Sequence, residues 1–150
     1  MKTFRLLLPG LAVGLAVANV AHAKAPVERY SVNATAGTVL DTATKLTWQR
    51  AVSEDIFDWK SAKEYCAKLA LDGTAPWKAP NIRQLESLVD LSETGPSIDK
   101  AAFPGTYVAR YWSSSPFTKD PTVAFAVDFS DGSIALMATA TPTYRVRCVR

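Results

Sequence analysis

Period-two alternation is clearest over residues 123–137, where Val123, Phe125, Val127 and Phe129 alternate with Ala124, Ala126 and Asp128 before Ser130-Asp131-Gly132 turns the chain into Ser133 to Met137. Alternation interrupted by a glycine-bearing turn predicts an antiparallel hairpin. An earlier hairpin is predicted where Gly37-Thr38-Val39-Leu40 and Lys45-Leu46-Thr47-Trp48-Gln49 flank the polar turn Asp41-Thr42-Ala43-Thr44, after a short extended start at Tyr30 to Val32. Between the hairpins the period changes. Trp59, Ala62, Tyr65, Cys66 and Leu69 recur at helical spacing behind a capping Asp58, with Lys60, Lys63, Glu64 and Lys68 mostly on the other face and Gly73 near the end. Asn81 with Gln84 three residues on forms a capping box for a second helix, whose apolar stripe is Ile82, Leu85, Leu88 and Val89 and which Gly95-Pro96 terminates. A long loop region around Phe103-Pro104-Gly105 follows, and Tyr144 to Val149 is predicted as the last strand. This order predicts an α+β fold with two helices packed against antiparallel sheet, long loops and the chain end in the sheet.

The N-terminus changes the compartment. Lys2 and Arg5 precede an apolar stretch from Leu6 to about Val20, and Ala21-His22-Ala23 is a small-x-small site, so residues 1–23 read as a signal peptide cleaved after Ala23 and residues 24–150 as one domain. The apolar stretch is short and broken by Pro9 and Gly10, so no membrane span is expected in the processed chain. The expected location is periplasmic or secreted. Two of the 17 basic side chains and none of the 14 acidic ones lie in the leader, which brings the formal charge from +3 to +1. Nucleic acid is therefore not an expected partner. The only histidine, His22, is also in the leader. Imidazole-based triads and histidine-ligated metals are excluded from the processed chain, and no metal or cofactor is expected. Cys66 and Cys148 form an even pair in an oxidising compartment and are expected to be bonded.

Candidate chemistry is sparse. Arg145 and Arg147 sit two apart on the predicted last strand, which puts two planar donor forks about 7 Å apart on one face, suited to sulfate or carboxylate, although pairing with Asp128, Asp131 or the chain's own carboxylate to finish the scaffold is the favoured reading. Trp112, beside Tyr111 and the hydroxyls of Ser113, Ser114 and Ser115, reads either as a sugar-stacking surface or as core with serines satisfying a loop backbone. Lys100, Arg110 and Lys119 fall in the predicted loop region 91–122. Glu54, Asp55 and Asp58 lack a cation-loop register, and Asp128 with Asp131 fits a tight turn better than a glycosidase pair.

Trp77 to Leu88, Tyr111 to Ser114 and Arg145-Val146-Arg147-Cys148-Val149-Arg150, with Gly37-Thr38-Val39, Thr47-Trp48-Gln49-Arg50, Tyr65-Cys66 and Phe103-Pro104 in the same order, resemble the C-terminal domains of the Legionella collagen-like adhesin (Lcl) family. The resemblance implies a fold like that of C-type lectins and formylglycine-generating enzymes, with a disulfide from the first helix to the final strand, and a role in binding sulfated, anionic glycans. Neither a collagen-like repeat nor the Glu-Pro-Asn, Gln-Pro-Asp and Trp-Asn-Asp calcium-lectin motifs are present. The resulting expectation is a non-catalytic exported module that presents loops 91–122 and 137–144 to a polar or sulfated glycan or an envelope protein. A carboxylate-based hydrolase and a structural subunit of the cell envelope are the rival classes.

Overall fold

The computed structural model describes residues 26, 28–73, 76–140 and 143–150. The leader predicted over residues 1–23 and its cleavage point lie outside the described residues. The first hairpin pairs β2 (Thr38–Asp41) with β3 (Thr47–Gln49), and β1 (Tyr30–Asn33) adds to β2, all antiparallel. Val39 faces Trp48 across the ladder, and both are fully buried. Asp41 closes the turn: its Oδ1 accepts from the amides of Ala43 (3.0 Å) and Thr44 (3.3 Å), which is how an Asp fixes a turn. The same carboxylate receives Arg29 through Nε (3.2 Å) and Nη2 (2.7 Å), and Arg29 Nη2 reaches on to the Ser87 carbonyl (2.8 Å).

Burial alone would raise the Asp41 carboxyl, but the hydrogen bonds from Arg29 and the turn outweigh it and hold the group below its ordinary value. A depressed folded value means that this stability is complete above the unfolded carboxyl value of about 3.9 and is lost as pH falls through the folded one. Asp41→Asn should therefore lower the thermal midpoint at neutral pH, with the gap to the parent narrowing on acidification below about pH 4. A gap of constant size in melts across that range would refute the assignment.

The second sheet runs β4 (Arg110–Pro116), β5 (Val123–Asp128), β6 (Ser133–Ala138), again antiparallel. β5 and β6 stay in register from Val123↔Ala138 to Asp128↔Ser133, whereas β4 shifts register between Trp112 and Pro116. Gly132 turns this hairpin at φ 80°, and a Cβ there would lie 2.5 Å from Val89 Cγ1 and 2.8 Å from Leu91 Cδ2. Only glycine fits both the angle and the space.

Strand alternation divides the interior into two cores. Tyr111, Val127 and Phe129 join Val39, Trp48, Leu85, Leu88, Ile98 and Phe103 on one side. Trp112, Ala124 and Ala126 join Ala62, Cys66, Trp77, Val146 and Cys148 on the other. Helix α1 (Trp59–Lys68) seals the second core with Ala62 and Cys66 buried, and Asp58 caps it by accepting from the Ser61 amide at 2.7 Å. Helix α2 (Ile82–Glu86) carries the capping box of Asn81 and Gln84 and buries Leu85 in the first core. It is shorter than the stripe to Val89 suggests, because past Glu86 the amides of Leu88 and Val89 bond to the Leu85 and Glu86 carbonyls three residues back (3.1 and 2.9 Å) in place of continuing the α pattern. Among the described residues no helix is long and apolar enough to cross a membrane.

Two expectations are corrected. The segment 91–122 is not one loop, because β4 occupies its middle; the run of serines hides a strand whose inward side chains are aromatic or small. Nor is Tyr144–Val149 a continuous strand. It threads between the sheets and makes single bridges to a succession of neighbours, Phe57↔Tyr144, Tyr111↔Arg145, Trp48↔Val149 and Lys78↔Val149. Residues 144 and 145 each meet a different element, and only at residues 148–150 does the chain run along one strand, where the Gln49 amide donates to the Cys148 carbonyl (2.9 Å) and Thr47 exchanges bonds with Arg150 (3.0 and 2.9 Å). The Cys66–Cys148 disulfide, Cα–Cα 5.4 Å, fastens α1 to this segment, and both residues are fully buried.

Candidate binding surface

The Trp112 indole and the hydroxyls of Ser113 and Ser115 are structural. Trp112 is fully buried: its Nε1 donates to the Phe57 carbonyl at 2.8 Å, and Tyr144 packs edge-on against the ring at 4.9 Å. Such a ring has no face to offer a sugar. Ser113 is buried too, with Oγ donating to the Phe125 carbonyl (2.8 Å), and the Ser114 amide donates to the Pro80 carbonyl (2.7 Å). Ser115 Oγ accepts from the Ile82 amide at 3.0 Å, so the serines tie β4 to the start of α2.

Arg147 is likewise interior. Its Nη1 donates to the Gln49 and Arg50 carbonyls (2.7 and 2.6 Å), its Nη2 donates to Thr106 Oγ1 (2.6 Å), and the guanidinium lies 4.8 Å from the Phe103 ring centre. Burial draws it down to about 10, leaving it charged at neutral pH. Arg145 is different. It is half-buried, and its Nη1 donates to the Ser53 and Glu54 carbonyls (3.0 and 2.9 Å) while the guanidinium stacks 3.4 Å from the centre of the Tyr107 ring. Both bonds come from one nitrogen, and Nη2 and Nε of Arg145 have no protein partner among the described residues. Tyr107 itself is 38% exposed. Sequence reasoning did not single it out; the available signal was an aromatic in a Pro-Gly loop just ahead of β4.

The remaining cations do not converge on one point. Lys100 pairs with Glu93 at 2.9 Å and donates to the Thr94 carbonyl at 3.1 Å. It borders the Tyr107 loop, since Val108, 55% exposed, lies against Gly95. Arg110 is a backbone neighbour of Arg145, whose amide donates to the Arg110 carbonyl (3.0 Å). Alternation along β4 nevertheless sends its side chain to the opposite face from Tyr111, where it pairs with Asp128 at 3.0 Å. Lys119 is exposed in the β4–β5 connection, roughly 20 Å away along β4.

The carboxylates are occupied locally. Asp128 and Asp131 each brace the β5–β6 turn, accepting from the amides of Ser130 and Ser133, both at 2.9 Å. Asp55 bonds the Ser53 hydroxyl at 3.1 Å. No group of three or more metal-ligating side chains occurs among the described residues.

Among the described residues, two small sheets, two helices and one buried disulfide locked to the chain end define a small α+β domain whose polar interior serves the scaffold. The chain belongs to the Lcl C-terminal domain family, whose profile matches residues 37–150, from the start of the first hairpin to the last residue. No curated protein matches the chain significantly.

Proposed function

We propose that this domain is an exported, non-catalytic recognition module of C-type lectin-like fold that takes an anionic glycan, sulfated or carboxylated, on the surface formed by Lys100, Tyr107, Val108 and Arg145. One observation carries this reading: Arg145 is held beneath an exposed tyrosine, and two of its guanidinium nitrogens have no partner among the described residues. A planar donor edge suits sulfate or carboxylate oxygens, and the adjacent ring suits the apolar face of a sugar. The disulfide between the first helix and the terminal segment supports the lectin-like topology and an oxidising compartment.

Titration with a sulfated oligosaccharide and its desulfated counterpart tests the proposal. The sulfated form should bind more tightly, and its affinity should fall with added salt. Tyr107→Ala should weaken binding about tenfold and Lys100→Ala by less, while Arg110→Ala and Lys119→Ala, on other faces, leave it unchanged. Equal binding of the desulfated sugar, or a loss confined to Lys119→Ala, would sink the assignment.

A further inference from the structure

The chain end covers the inner edges of both sheets, Val149 bridging to β3 and Arg145 to β4. That leaves β1 and β6 as outer edges. They differ. β1 has four residues beside the charged Glu28 and Arg29, whereas β6 has six, Ser133 to Ala138, in the longest uncharged run of the domain, since no Asp, Glu, Lys or Arg occurs between Asp131 and Arg145. Among the described residues, no backbone group of β6 bonds to any strand but β5. Exposed edges are ordinarily blunted by a charge, a proline or a bulge, and β6 has none of these.

Its side chains are also unusual for a free edge. Ile134 and Leu136 face Val127 and Phe125 on the α2 side of the sheet, yet they remain 44% and 46% exposed because the five-residue α2 does not reach them. Leu91, 54% exposed, lies against Gly132 at the turn that leads into the strand.

We propose that β6 pairs with β6 of a second copy, joining two three-stranded sheets into one six-stranded sheet about a two-fold axis. Charge selects this occupant. In an isologous edge-to-edge pair every residue meets one from the same strand, so a charge on or next to the strand would lie near its own like; β1 follows directly on Glu28 and Arg29, whereas β6 carries no charge and is followed by none before Arg145, so it pairs with itself without repulsion. An axis normal to the sheet keeps equivalent faces together and must centre on a residue. Centring it on Ala135 sets Ile134 opposite Leu136 of the second copy, and the reverse, so that the two large exposed apolar side chains of the strand cover each other. Such a dimer would present two copies of the Tyr107 and Arg145 surface and bind multivalent ligands with added avidity.

Sedimentation equilibrium of the full chain, as purified from the cell, tests this without any ligand. Twice the monomer mass is expected at concentrations of order 100 µM, and Ile134→Lys and Leu136→Lys should each return the protein to monomer with an unchanged circular dichroism spectrum. Ala135→Cys should form an intermolecular disulfide at least tenfold faster than Ala138→Cys, because only residue 135 meets itself across the axis. A monomeric parent would overturn the proposal and leave the edge to a foreign strand. A dimer that survives both lysine variants, or equal crosslinking at 135 and 138, would overturn it as well.

Discussion

Replacing Cys66 and Cys148 together by alanine is expected to cost about 4.5 kcal/mol, the chain-entropy value for closing a loop of 82 residues. A domain of this size has a total stability of about 5 to 15 kcal/mol, so the double variant should be marginal at 37 °C. The location of the bridge says where it will fail. Ahead of its pairing with β3 at residues 148–150, the terminal segment has no ladder and is held by single bridges to Phe57 and Tyr111, with Val149 bridging to Lys78 as well as to Trp48. Each contributes little cooperatively, whereas the sulfurs sit in the core with Trp77, Trp112 and Val146. Without the crosslink, residues 145–149 should release first. Urea denaturation supplies the free energy, and hydrogen exchange of those amides supplies the order of release. A double variant within about 1 kcal/mol of the parent would show that packing alone secures the chain end.

This bridge also shows how far the sequence could be read. Both hairpins, both helix caps and the α+β class were legible because each is written in local terms: a turn residue, a capping side chain, or a period of 2 or 3.6. The Cys66–Cys148 pairing was legible from compartment and count. The path of residues 144–149 was not, because an Arg-Val-Arg-Cys-Val alternation reads the same whether the strand pairs with one partner or with four in turn. β4 was missed for a related reason. Its serines suggested a loop, and only the fold shows that they tie the strand to α2 and the β5 backbone.

The candidate surface was legible only in part. Charge and residue type named Arg145 and Lys100, but they also named Trp112, Ser113 and Arg147, which tertiary packing takes into the interior. No local signal separates Arg145 from Arg147. Two residues apart, they share a face by alternation, and what distinguishes them is that Phe103 and Thr106 close over one while Tyr107 lies on the other.

That closure makes Arg147 the interior side chain with the most to lose. It brings three acceptors together, two from the strand exit at Gln49 and Arg50 and one from the loop at Thr106, and thereby pins both to the terminal segment. Its Nε has no hydrogen-bond partner among the described residues, so the cation is buried at a cost, and what it returns is the fixed position of three separate pieces of chain. Arg147→Met keeps much of the volume and removes every donor. Three acceptors stranded at about 1 to 2 kcal/mol each, offset by the better burial of an apolar chain, predict a loss of about 3 to 4 kcal/mol. Arg147→Lys keeps the charge but offers a point donor in place of a planar fork, cannot span all three acceptors, and should fall between the parent and Arg147→Met. Chemical denaturation of the three proteins with the disulfide intact measures the series. Should Arg147→Met prove as stable as the parent, the guanidinium would be a tolerated passenger in the core, and the loops at residues 49–50 and 106 would be held by the packing of Phe103 and Trp48 alone.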